Sequence, residues 1–289
     1  MDQTGTETIK ENNQDFIDID EVIKKKSTTL YRLTPGFLIR YLKRIVHQDE
    51  VNQVLELYQD KMGLDFIESL LTEKFPAEIE VKNPEYIPEK GRYIIASNHP
   101  LGGFDGLALM HVVGKKRKDI KFIVNDILLE LKNLKDLFVP VNKHGRNTQE
   151  SVKLIDSLYK SDQLVLVFPA GLVSRRQSGR IEDLEWKKSF ISKAIKYQRD
   201  IIPVHMQGRN SDFFYNFALI RKKLGIKFNI EMLYLPDEMF RQREKKIVIT
   251  FGKPIPYTTF TKEKTHHEWA QEVKSHVYSL PQGNLEFKV

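Results

Sequence analysis

Apolar positions along this chain fall into two regimes. Between Ser27 and about Phe75 they recur at helical spacing. Phe37, Leu38, Tyr41, Leu42, Ile45 and Val46 form one stripe, with Arg40, Lys43 and Arg44 on or beside the other face. Pro35 stands where a helix can start. Leu55, Tyr58, Phe66, Ile67, Leu70 and Leu71 continue the pattern as a second and a third helix. An apolar stripe backed by basic residues suits a helix lying in a membrane interface. It equally suits a helix whose apolar face packs on a core.

From Ile79 onward the period changes, and short β-rich runs alternate with helical stretches. The runs are Tyr93–Ala96, Lys121–Val124, Leu137–Val141, Leu164–Phe168, Ile201–Met206 and Ile247–Phe251. The helices between them fall after Asp105, near Ile127–Leu131, over Thr148–Tyr159 and near Trp186–Tyr197, with a last one from about Lys262 to Leu280. This alternation predicts an α/β fold, a mainly parallel mixed sheet flanked by helices, with an N-terminal helical segment. Residues 1–26 read as a polar flexible arm, 27–76 as the helical segment and 77–289 as the α/β domain. No internal repeat or low-complexity linker interrupts the pattern.

Composition narrows the picture. A chain of 289 residues, 40% hydrophobic and 29% charged, buries a real core. It contains no cysteine, which excludes disulfides, a thiol nucleophile and thiolate zinc sites. The net charge of +7 is uneven: residues 1–23 hold seven acids and one lysine, leaving +13 on the remainder. A basic body suits nucleic acid, an anionic membrane surface or an acidic carrier protein. No nucleic-acid-binding motif accompanies the basic runs Lys115–Lys118 and Arg241–Lys246, so nucleic acid is set aside as a partner. No run of some 18 apolar residues predicts a transmembrane helix, and the acidic start lacks a signal core. The expected location is the cytoplasmic face of a membrane, peripherally bound.

Candidate chemistry sits at the ends of the β-rich runs, where active sites of parallel sheets gather. The first block is Asn98-His99-Pro100-Leu101-Gly102-Gly103-Phe104-Asp105-Gly106. Here an imidazole and a carboxylate flank a glycine turn, as a general base and the group that orients it would. Asp105 is also placed to cap the helix that follows. The second block runs from Phe138 through Lys143 to Arg146. The third is Val167-Phe168-Pro169-Ala170-Gly171-Leu172-Val173-Ser174-Arg175, and the fourth Ile201-Ile202-Pro203-Val204.

Over roughly residues 90–255 these ordered blocks resemble the glycerolipid acyltransferase superfamily. That family's first block is Asn-His, four residues, then Asp; its third reads Phe-Pro-Glu-Gly-Thr-Arg-Ser. This chain places five residues between His99 and Asp105, and has Ala170 and Val173 where the family has Glu and Arg. The variant resembles the branch often labelled hemolysin-like, which includes acyltransferases making ornithine and glycine aminolipids.

The resemblance implies a glycerol-3-phosphate acyltransferase-like fold and a lipid O-acyltransferase acting from an acyl thioester, carried by acyl carrier protein or coenzyme A, on a lyso-lipid. A lyso-aminolipid is the preferred acceptor and lysophosphatidate the alternative. His99 and Asp105 would be catalytic, and Asn98, Gly102, Gly103, Lys143, Arg146, Gly171, Ser174 and Arg175 would bind substrate. No cofactor and no metal is expected; His266, His267 and His276 lack a completing carboxylate at ligand spacing. Asp183, Glu185, Trp186 and Lys187 resemble positions of the same branch, with Trp186 taken as packing. The aromatic run Phe213–Phe217 reads as an acyl groove, a membrane-dipping loop or a buried cluster. Rival classes are a membrane-binding, non-catalytic hemolysin-like protein and a serine- or metal-type lipid hydrolase.

Overall fold

The computed structural model describes residues 17–124, 131–141 and 149–288. The helix expected near Ile127–Leu131 lies almost wholly outside them, as do Lys143 and Arg146. The chain divides into two compact units, Met1–Leu57 and Tyr58–Val289. The division thus falls earlier than the 76/77 boundary expected from sequence.

The first unit contains α1 (Ile19–Lys26), α2 (Thr28–Leu33), α3 (Gly36–Ile45) and α4 (Gln48–Leu57). The end of the expected polar arm is therefore helical. Asp18 caps α1 through the N–H of Asp20, and Ser27 caps α2 through that of Leu30. Asn52 holds the start of the segment by exchanging hydrogen bonds with both backbone groups of Ile17. Asp20 binds Tyr31 and Lys43, tying α1 to α2 and α3. On α3, Ile45 is buried, whereas Phe37 and Leu38 are exposed.

The second unit opens with α5 (Gly63–Ser69) and continues through β1 (Glu78–Lys82), β2 (Tyr93–Ser97), α6 (Gly103–Gly114), β3 (Ile120–Val124) and β4 (Phe138–Pro140). Then come α7 (Gln149–Lys160), β5 (Leu164–Val167), a small hairpin of β6 (Arg175–Gln177) and β7 (Arg180–Glu182), and α8 (Ser189–Tyr197). The last elements are β8 (Asp200–Gln207), α9 (Asp212–Lys223), α10 (Leu235–Phe240), β9 (Lys246–Phe251) and α11 (His266–Ser279). Seven strands form one sheet in the order β1-β9-β8-β2-β5-β3-β4. Neighbours are parallel except β8 and β9, so β1 and β9 run against the other five. The fold is α/β, mainly parallel.

The central strands explain why the runs are continuous rather than alternating. Ile94, Ile95, Leu164, Val165, Ile201 and Ile202 have no exposed surface, because helices cover both faces of the sheet. One core cluster packs α8 and α11 on the sheet through Trp186, Phe190, Trp269 and Val273. At the end where the parallel strands begin, buried Arg199 donates to the carbonyls of Tyr159, Gln163, Leu158 and Ser161. That guanidinium ties the end of α7 to the approach to β5. The opposite end, where β2 and β5 finish, carries the blocks singled out above.

Candidate active site

The chain leaves β2 and turns into α6 within a few residues. Asn98 fixes where the turn starts. Its buried amide donates to the carbonyl of Met206 (2.9 Å) and accepts from the N–H of the same residue (2.7 Å), clasping β2 to β8. It is held as a structural clasp rather than presented to a ligand.

His99 and Asp105 meet across this turn, with Nδ1 2.9 Å from Oδ2. The same carboxylate oxygen accepts the N–H groups of Leu101 (2.8 Å) and Gly102 (3.1 Å). Asp105 lies in the first turn of α6, so it orients the imidazole and caps the helix at once. It is fully buried, and that burial pushes its carboxyl above the usual range against the pull of His99 and the two N–H donors. An aspartate opposite Nδ1 keeps a proton there and leaves the lone pair on Nε2.

Gly102 absorbs the extra residue between them. It adopts φ +88° and ψ −134°, a conformation that L side chains avoid, and a Cβ there would stand 3.1 Å from Leu235. The glycine lets the longer turn curl under while the carboxylate keeps its contact.

The imidazole plane is set by packing. Phe168, at the end of β5, stacks on His99 with ring centroids 4.0 Å apart and planes inclined by 17°. Phe122 of β3 braces Phe168 edge-on at 5.0 Å. Phe122 in turn lies against Gly106, where a Cβ would approach its ring to 2.8 Å. Two neighbouring strands and α6 thereby define one ring orientation.

Behind the turn lies Asp183, a fully buried carboxylate. Oδ1 accepts from the backbone N–H of His99 (3.1 Å) and the hydroxyl of Ser174 (2.6 Å), and Oδ2 from the indole of Trp186 (2.8 Å). The N–H of Ser174 donates to the carbonyl of His99 (2.8 Å). Both backbone groups of His99 are thus held by the third block and the residue that anchors it. Burial raises the Asp183 carboxyl, opposed by these donors. In the sequence Asp183 stands out only through the resemblance, and Trp186 reads as packing. Trp186 is indeed buried in the core, but its indole N–H also serves Asp183.

The expected substrate-binding residues therefore divide. Gly103 opens α6 and is exposed. The N–H of Gly102 serves Asp105, and that of Gly171 donates to the carbonyl of Phe168. Ser174 is committed to Asp183. Arg175 is buried; it donates to the carbonyl of Val173 (2.7 Å), pairs with Glu231 (3.0 Å) and lies over the ring of Phe214. Gly103 apart, these residues have polar groups engaged within the protein. Among the described residues, no group of three or more His, Asp and Glu side chains could hold a metal ion. His266 bonds Ser192, His267 pairs with Glu185, and His276 packs against Phe287.

A sequence model of the acyltransferase family matches residues 21–285. The chain belongs to the acyltransferase family. Among the acyltransferase's relatives is a lyso-glycine lipid O-acyltransferase of Bacteroides thetaiotaomicron, 51% identical over 266 residues, covering 92% of this chain and 97% of that protein. Another, of the same name, comes from Phocaeicola vulgatus, 49% identical over 92% of this chain and 95% of its own length. A crystal structure of the 1-acyl-sn-glycerophosphate (LPA) acyltransferase from Thermotoga maritima aligns with 91% of this chain and 93% of its own, at 18% identity and a TM-score of 0.45. An acyl transfer to a hydroxyl calls for a base beside the reacting oxygen. In this acyltransferase the His99–Asp105 pair, at the sheet's C-terminal rim, has the composition and geometry for that role.

Proposed function

We propose that this acyltransferase moves a fatty acyl group from an acyl thioester, carried by acyl carrier protein or coenzyme A, to the hydroxyl of a lyso-aminolipid, a lyso-glycine lipid first among them. The contact that carries the mechanism is the 2.9 Å bond between His99 Nδ1 and buried Asp105. Nε2 takes the acceptor's hydroxyl proton as the oxygen attacks the thioester carbonyl. The tetrahedral oxyanion then collapses, the carbon–sulfur bond breaks, and His99 returns the proton to the departing thiolate. Asp105 steadies the imidazolium between these steps. No covalent acyl-enzyme is needed.

Two relatives that cover nearly the whole chain carry the lyso-glycine acceptor in their names. The third block supports a departure from phosphate. Ala170 and Val173 replace the charged residues of the wider family, and Arg175, the nearest stand-in cation, is engaged by buried Glu231, which it shares with Arg221. Among the described residues no helix is long and apolar enough to cross a membrane. The lipid nature of the proposed acceptor is what calls for work at the lipid surface.

The test is a purified-protein assay with labelled acyl carrier protein and acyl-coenzyme A against lyso-glycine lipid, lyso-ornithine lipid and lysophosphatidate. Transfer is expected to the lyso-aminolipids, and His99→Ala should cut turnover by at least about 100-fold. A variant that retains full turnover removes His99 from the mechanism. Transfer to lysophosphatidate alone would replace the acceptor.

A further inference from the structure

α9 and its connection to α10 carry more apolar surface than folding requires. Phe214, Tyr215 and Ala218 face inward and are buried, which is the stripe a surface helix needs. A second apolar set faces solvent: Phe213 (51% exposed) and Ile220 (53%) on the helix, Leu224 (69%) at its C-cap, then Ile226, Phe228 (78%) and Leu233 beyond it. This surface is shaped, not frayed. Gly225 (φ +70°) ends the helix, and the N–H of Ile226 returns to the carbonyl of Arg221. Arg221 donates to the carbonyl of Ile226 (2.7 Å) and pairs with buried Glu231 (2.9 Å), which also holds Arg175.

Charge names the occupant. Of the basic runs in the sequence, Arg117, Arg241 and Lys246 are paired within the fold. Arg117 is buried on Asp119 and the carbonyls of Gly91 and Asp162; Lys246 pairs with Glu78 and Glu80, and Arg241 with Asp237. Lys222, Lys223 and Lys227 are exposed and without an ion pair among the described residues, as Lys115, Lys118 and Lys245 are. Only the first three fall among the exposed apolar residues of this edge, between Ile220 and Phe228. Between Phe213 and Leu233 the sole acid is Glu231, which is buried. Apolar side chains ringed by unpaired lysines match the boundary between anionic headgroups and acyl chains.

We propose that the edge formed by α9 and the following loop, Phe213 to Leu233, docks on an anionic lipid surface and sets the catalytic turn beside it. The link to the site is direct: Leu235 packs on Gly102, Met239 on Gly103, and Glu231 grips Arg175. The proposal rests on a lipid acceptor, which this contact would hand to the site from the layer in which it resides.

Trp186 and Trp269 are fully buried, so a tryptophan introduced by Phe228→Trp reports the edge alone. Its emission should shift to the blue on vesicles of phosphatidylglycerol and phosphatidylcholine in equal parts, and not on phosphatidylcholine alone. Combined Lys222→Glu, Lys223→Glu and Lys227→Glu should weaken partition onto the mixed vesicles on the order of 100-fold. Leu224→Ser with Phe228→Ser should weaken it by at least about tenfold. Both sets should keep the wild-type rate on acceptor dispersed in detergent, which separates docking from chemistry. An unshifted emission, or partition unchanged by either set, overturns the proposal. So does a shift produced by an acidic carrier protein and not by vesicles, which gives the surface to a protein partner. If the wild type transfers no acyl group in detergent, the enzymatic reading fails and the vesicle result is judged by itself.

Discussion

At the scale of single residues, His99, the proposed base, is held by groups buried behind its turn. Asp183 is the clearest. Its carboxylate has donors at both oxygens, so an amide in its place must turn an NH2 group toward either the Trp186 indole or the His99 N–H and Ser174 hydroxyl. Asp183→Asn should therefore cost about 1–3 kcal/mol, seen in the denaturant midpoint, and should lower kcat with little change in donor KM. An unchanged midpoint and rate would remove Asp183 from the support of the site. His99 and Asp105 were legible in the sequence because they lie within one turn of each other. Asp183 was not singled out for this role, since its partners come from four separated stretches: His99, Ser174, Trp186 and Tyr278. Arg175 shows the converse. In sequence it reads as an anion-binding residue, and its carboxylate partner, Glu231, comes from a stretch 56 residues away.

Elements were legible where their pattern follows from burial on both sides or one. The expected strands from Tyr93 onward are those found, give or take a residue or two at their ends, and the helices over α7, α8 and α11 hold as well. The hairpin of β6 and β7 escaped because strands of three residues leave no period to read. α9 escaped for a different reason: aromatic residues on both faces blur a helical stripe into an aromatic run. The turn before α6 is the element that brings His99 and Asp105 together. Gly102→Ala would force a side chain into φ +88° and against Leu235, at a cost of about 1–3 kcal/mol or the displacement of Asp105. Thermal melting should record the first and an acyl-transfer assay the second. A variant with both unchanged would show that the longer turn has no need of glycine.

At the scale of the whole molecule, the α/β architecture and the end of the sheet bearing the site could be read from order alone. The place of the unit boundary could not, because α5 continues the helical period of the preceding segment while belonging to the sheet-bearing unit. Acid should unfold the molecule partly through His205 on β8. Burial pushes its imidazole down to about 4, so the folded protein binds fewer protons than the unfolded chain between pH 6.5 and 4. Its contribution is complete above pH 6.5 and is lost as the pH falls through that window, on the order of 3 kcal/mol. His205→Phe, which keeps a ring against Tyr278, should flatten the fall in unfolding free energy between pH 7 and pH 4.5. An equally steep fall in the variant would place the acid sensitivity elsewhere. One stitch described above reaches further than stability. The N–H of Ser174 donates to the carbonyl of His99, and Asp183 accepts from both the His99 N–H and the Ser174 hydroxyl, so the lengthened first block and the altered third block meet at one seam. A chimera that takes one block from a relative with the shorter turn and keeps the other is expected to part this seam and lose the placement of the His99 ring.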